Sequence, residues 1–235
     1  MESDLTQSAL FYKLWAWGDK NKKQLLWGLI ALVVVGVGVA FWLAHQSEKQ
    51  NEANDALSKL TSQEVVSGKT EPAPDAMLKV ATDYSDTAAG QRALLLGAAN
   101  LFDAGKYDEA QARFQQFIRD YSDSPFMSQA AYGVATCFDA EGKTNDAVSA
   151  YQSIVDRYQN QNVAPQAKLA LARLLEGQGK FSEARNNLED ILRSVQGTTA
   201  SEAAGRLEQL NAAHPPVETT NRPAPTVTPS LVPKS

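Results

Sequence analysis

Few residues in this 235-residue chain combine the type and spacing that chemistry requires. There are two histidines, His45 and His214, and one cysteine, Cys137, far apart in the chain. A zinc site needs three or four Cys, His or carboxylate ligands held together. This set cannot supply one, so neither a metal nor a cofactor is expected. Gly142-Lys143-Thr144 is a fragment of a phosphate-binding loop, but the Gly-x4-Gly-Lys-Ser/Thr frame is missing. The carboxylates Asp108, Glu109, Asp146 and Glu183 sit where helices should start. There they face the positive end of a helix dipole, which is structural charge placement rather than acid–base chemistry. No catalytic residue emerges, and the chain is expected not to be an enzyme and to take no small-molecule substrate. Cys137 lies on an apolar helix face and reads as a small buried hydrophobe. A formal charge of −5, with no basic stripe, argues against a nucleic-acid partner.

The elements that carry these residues repeat. Gly68-Lys69, Gly105-Lys106, Gly142-Lys143 and Gly179-Lys180 stand 37 residues apart. On the same step lie Ala56, Ala93, Ala130, Ala167 and Ala204. So do Ala110, Ala147 and Ala184, each preceded by an acid, and then Phe114, Tyr151 and Leu188. A fixed period of this size marks stacked structural units, which generally form binding scaffolds. Each unit reads as two helices. Leu94, Ala98 and Leu101 have helical spacing, as do Ala110, Phe114, Phe117 and Ile118. Glycine should end each first helix, where a left-handed residue costs least. Ser124-Pro125 is expected to cap and open the next unit, and Ala164-Pro165 to do so with a weaker cap. The last unit is expected to be one helix, about 200–212.

Ahead of the repeat, Leu25–Ala44 reads LLWGLIALVVVGVGVAFWLA, without a charge. Twenty helical residues rise about 30 Å, the thickness of bilayer hydrocarbon. Trp27 and Trp42 stand near its ends, where amphipathic rings favour the interface. A cleaved signal peptide would have a shorter apolar region and a small-residue cleavage site. Here bulky Phe41-Trp42-Leu43 precedes His45, which fits an uncleaved anchor. Lys20, Lys22 and Lys23 flank one end, and only Lys49 the first ten residues of the other. The positive-inside rule then puts the N-terminus in the cytoplasm and all that follows Ala44 outside it. The organisation is a cytoplasmic lead (1–24), a transmembrane helix (25–44), a repeat domain (45–213) and a Pro-rich tail (214–235). In the lead, Leu10, Phe11, Leu14, Trp15 and Trp17 form either a short helix on the inner leaflet or a loosely adsorbed segment. The first helix is expected to run from the bilayer through about Glu64. The tail, with Pro215, Pro216, Pro223, Pro225, Pro229 and Pro233, cannot bury a core and reads as a disordered or polyproline-like linker.

Gly105-Lys106-Tyr107-Asp108-Glu109-Ala110, followed by Phe114 and a later proline, resembles the tetratricopeptide repeat, as do the copies at Gly142 and Gly179. The period is 37 rather than the family's usual 34, and the family's Trp/Leu/Gly signature in the first helix is replaced by alanine-rich sequence. The extra residues lengthen either the second helix or the turn between units. The resemblance implies an all-α fold: a single N-terminal transmembrane helix followed by a tetratricopeptide-like α-solenoid of 37-residue helix pairs. It also implies that first helices line a protein-binding groove. By the family's pattern, Arg92, Leu95, Ala99, Phe102 and Asp103 face it, then Gln129, Tyr132, Thr136 and Asp139, then Gln166, Leu169, Arg173 and Glu176. Phe102 and Tyr132 are the anchor candidates, since aromatic residues dominate hot spots. The competing reading places Leu95, Phe102, Tyr132 and Leu169 in the core between units.

A short lead, one span and Ala-rich degenerate units together resemble the YfgM-like family, ancillary subunits of the SecYEG translocon that work beside periplasmic chaperones. That resemblance implies a bacterial inner-membrane protein with a periplasmic repeat domain. Its partners would be proteins, the SecYEG translocon and periplasmic chaperones among them. The alternative is a scaffold of the same fold for outer-membrane, cell-wall or cell-division machinery.

Overall fold

Alternating Ala/Leu-rich and amphipathic segments, punctuated by glycine, form nine α-helices and no strand among the described residues. The computed structural model describes residues 21–67 and 73–216. The Gly68-Lys69 pair, Pro72, the apolar cluster from Leu10 to Trp17 and the prolines from Pro223 onward lie outside them. The chain divides into two compact units, Met1–Ala104 and Gly105–Ser235.

The first unit begins with α1, Lys22–Ser67, 46 residues without a break. Its first half is apolar all round. Trp27 is 70% and Trp42 62% exposed, and the apolar window is packed against nothing in the protein. It is the one helix among the described residues long and apolar enough to cross a membrane. Its second half changes character. Ala53 and Leu57, four residues apart, are buried, and the helix packs on α2 (Pro74–Asp83) and α3 (Ala88–Asp103). Pro74 opens α2, where its missing N–H would have had no partner. Thr87 caps α3: its hydroxyl accepts from Gly90 N–H at 3.0 Å and donates to Tyr84 O at 2.8 Å. This fold-back is tight. A Cβ on Gly90 would stand 1.9 Å from the Tyr84 carbonyl oxygen, so only glycine fits.

The second unit holds α4 (Tyr107–Asp120), α5 (Met127–Ala140), α6 (Thr144–Arg157), α7 (Val163–Gly177), α8 (Phe181–Ser194) and α9 (Thr198–Ala213). Consecutive helices pack on one another throughout. Glycine ends the first helices as expected: Gly105, Gly142 and Gly179 have φ of 76°, 72° and 74°. The hydrogen bonds at two of these ends are those of a Schellman turn. Lys143 N donates to Phe138 O at 2.9 Å and Gly142 N to Asp139 O at 3.0 Å, and Lys180 and Gly179 donate equivalently to Leu175 O and Glu176 O. The lysine is more than an exposed turn residue. Its carbonyl is the first acceptor of the next helix, taking the N–H of Ala110, Ala147 or Ala184 at 2.9–3.0 Å. Those three alanines are fully buried.

The structure corrects two local expectations, at Ser124-Pro125 and Ala164-Pro165, and shows one departure from the 37-residue step. Ser124-Pro125 does not open α5. That helix starts at Met127 behind Phe126, and Ser124 closes the preceding turn, with its N–H on Tyr121 O and its carbonyl accepting from Met127. Residues 121–126 are thus all connection, and α4, α6 and α8 are each 14 residues long. At Ala164-Pro165 the helix has already begun, at Val163. Ala204 is exposed and its neighbour Ala203 fully buried. The connection before α9 is only Val195–Gly197, so the register slips by one residue.

Candidate protein-binding face

The residues expected to meet a partner lie on first helices, whose small side chains allow close packing on the other face. In the first unit, α3 carries Arg92 and Asp103 exposed and Leu95, Ala99 and Phe102 half-buried. Their spacing keeps them on one side of the helix. The opposite side carries Ala93, Leu94, Gly97, Ala98 and Leu101, all buried. Gly97 lets α2 approach: a Cβ there would stand 2.9 Å from Leu78 Cδ2.

In the second unit the first helices are neighbours, α5 beside α7 and α7 beside α9. Gln129, Gln166 and Arg173 are exposed; Tyr132, Thr136, Asp139, Leu169 and Glu176 are half-buried. Asp139 on α5 and Arg173 on α7 form an ion pair that the sequence spacing did not reveal. One step on, Glu176 on α7 takes Arg206 Nε on α9 at 3.1 Å. Asp139 and Glu176 occupy the same place in the 37-residue step, so one carboxylate position recruits a guanidinium from the next first helix twice. Each of these two cations is already matched, which leaves little local charge to hold a partner's chain end.

Tyr132 answers the question of groove against core with some of each. Its ring lies 5.6 Å from that of Tyr151, tilted at 57°, and both Tyr132 and Leu169 pack on the buried cluster of this unit. Tyr151 is fully buried. Burial, with the Asp139 carboxylate close by, holds both hydroxyls above the ordinary phenol range. What Tyr132 presents outward is a partly exposed ring beside the Asp139–Arg173 pair. That is an amphipathic anchor on a rigid base, suited to a protein segment. Close by in chain order, Ser128, Gln129, Asn160, Gln161, Asn162 and Val163 line a shallow, uncharged depression of about 280 Å³.

Sequence reasoning missed Arg206 on α9, because the last helix read only as a cap. It also missed Gly133, where a Cβ would stand 2.5 Å from the Phe114 ring. The remaining reactive types have structural positions. Cys137 is buried, and burial with Glu141 nearby pushes its thiol up to about 12. His214 stacks on Phe181 at 3.6 Å, and Arg185 bonds both Asn211 Oδ1 and the His214 carbonyl, which fastens the end of α9 to α8. Among the described residues no three His, Cys, Asp or Glu side chains come together as metal ligands.

A family model described as a tetratricopeptide repeat-like domain matches residues 15–149 and 110–214. No curated protein sequence matches the chain. Among solved structures, MamA from residue 41 onward of Desulfovibrio magneticus RS-1 is similar at 12% identity, with a TM-score of 0.50 over 70% of this chain and 85% of that one; the likeness is of fold. The Yersinia enterocolitica type III secretion chaperone SycD, in complex with a peptide of the translocator YopD, matches at 20% identity, covering 51% of this chain and 91% of that one, with a TM-score of 0.45. PcrH from Pseudomonas aeruginosa matches at 19% identity, 53% and 93% coverage and a TM-score of 0.46.

Proposed function

We propose, since the chain belongs to the tetratricopeptide repeat-like domain family, that it is a single-pass inner-membrane scaffold that binds proteins through its extracytoplasmic repeat helices. The observation that carries this reading is the continuity of α1. A 20-residue apolar run and a helix packed into the repeat region are one uninterrupted element. Such an arrangement holds the first unit, with its α3 residues, beside the bilayer, and tethering raises the effective concentration of partners without demanding tight contacts. The flanking lysines favour a cytoplasmic N-terminus. The candidate binding residues are Arg92, Leu95 and Phe102 on α3, Gln129, Tyr132 and Asp139 on α5, and Gln166 and Arg173 on α7. The partner class follows the YfgM-like resemblance: the SecYEG translocon and periplasmic chaperones, in envelope protein biogenesis.

Crosslinking in intact membranes followed by purification in mild detergent tests this directly. Recovery of translocon subunits or chaperones is the expected result; recovery of only cell-wall or outer-membrane assembly proteins would replace it with the other scaffold role. Phe102→Ala with Tyr132→Ala should reduce that recovery while helicity is retained, and unchanged recovery would remove these first-helix residues as the site. A reporter fused after Ser235 that works only in the cytoplasm would overturn the orientation.

A further inference from the structure

Helix α1 does not stop where its apolar run stops, and its rise fixes where the first unit meets the membrane. Lys49 stands five residues beyond Ala44, about 7.5 Å along the axis. Side chains on a helix leave the backbone tilted toward its N-terminus, so Lys49 sets out from α1 toward the apolar run. There it meets Asp86 Oδ1 at 2.5 Å. One residue on, Gln50 Oε1 accepts the Ala88 N–H at 3.3 Å. Asp86 lies in the connection between α2 and α3, and Ala88 is the first residue of α3: Tyr84 closes α2 and Thr87 caps α3. The Tyr84–Thr87 turn is therefore level with residues 49–50 of α1. The polar layer on each side of bilayer hydrocarbon is about 5–8 Å deep.

We propose that the Tyr84-Ser85-Asp86-Thr87 turn rests in the lipid headgroup layer, so that lipid headgroups are a direct partner of the first unit. This rests on residues 25–44 spanning the membrane. The turn suits such a place. Tyr84 is half-buried and offers an amphipathic ring at the depth that such rings favour. Its charges are matched, Asp86 by Lys49 and Asp83 by Lys79 at 2.9 Å. Glu48 and Glu52 on α1 add negative charge rather than positive. The chemistry is therefore hydrogen bonding to zwitterionic headgroups, not attraction to anionic lipid. The Lys49–Asp86 and Gln50–Ala88 contacts hold the turn against α1, so the stance on the bilayer does not depend on a flexible joint.

The test uses the full chain carrying Cys137→Ala, reconstituted in phosphatidylcholine vesicles with a fluorophore on a single cysteine. Three positions are compared: Leu43→Cys in the span, Ser85→Cys in the turn and Ala104→Cys at the far end of α3, about 24 Å from the turn by helical rise. Quenching is read with nitroxides on the lipid headgroup or on the acyl chain. The expected result is acyl-chain quenching at Leu43 and headgroup quenching at Ser85 at least about twice that at Ala104, since Ala104 stands about 24 Å from the turn along α3 and the headgroup layer is only about 5–8 Å deep. Raised salt or added phosphatidylglycerol should leave the Ser85 signal unchanged, and a contact that salt releases would overturn the zwitterionic assignment. Leu43 quenched with Ser85 no different from Ala104 would overturn the proposal and leave the span standing. Leu43 unquenched would remove the span, and the proposal with it.

Discussion

The turns inside each helix pair and the turns between pairs obey different rules. Inside a pair, Gly142 and Gly179 repeat one geometry with the same hydrogen bonds and nearly the same φ, and Gly105 shares that φ. A Cβ on any of the three would meet nothing within 4 Å. These glycines are required by backbone conformation alone. Between pairs the chain solves the same problem differently each time. Thr87 caps α3 with its side chain, residues 121–126 wind through a longer turn before α5, Asn162 precedes α7 without a side-chain cap bond, and Gly197 at φ 93° opens α9. The contrast separates a local constraint, which repeats faithfully, from a packing constraint, which only has to bring the next first helix into contact.

Substitutions can break this comparison or sharpen it. The largest effect is expected at Gly90, where the turn between α2 and α3 presses on a helix. Gly90→Ala sets a methyl against a backbone carbonyl and should cost about 3 kcal/mol or more, read as a fall in the urea midpoint of the full chain in detergent. Next is Ala147→Leu, which overpacks the second unit by about 1–3 kcal/mol; an unchanged midpoint would show that the motif alanines are not tightly enclosed. Gly142→Ala should cost about 1–2 kcal/mol through its left-handed backbone. Gly142→Asn should recover part of that loss, whereas the same replacement at Gly90 should not. Thr87→Ala removes one cap bond, for about 1 kcal/mol, and Ser124→Ala, at a turn that caps no helix, should cost less than Thr87→Ala under the same assay.

Reading the chain unaided located the features tied to local chemistry. The Gly-Lys joins, the buried Ala110, Ala147 and Ala184, the acids in the first turns and the long first helix all follow from backbone preference, dipole or hydropathy, which act over a few residues. The misses share a different origin. Ser124-Pro125 has the composition of a helix start, yet the turn at Tyr121 claims the serine first. Ala204 keeps the period, yet a connection two or three residues shorter than those before α7 and α5 turns Ala203 inward instead. Part of the candidate face, Arg206, lies on a last helix that read only as a cap.

Period, helix type, glycine turns and the apolar run were thus decided by residue order, because each depends on neighbours within about one or two helical turns. Tertiary structure alone paired Asp139 with Arg173 and Glu176 with Arg206, seated Tyr132 against Tyr151, and clasped the Tyr84–Thr87 turn to α1 through Lys49 and Gln50. These partners stand 19 to 38 residues apart. Several side chains of suitable charge or size compete for each at that separation, and only the packing of particular helices brings one of them within reach.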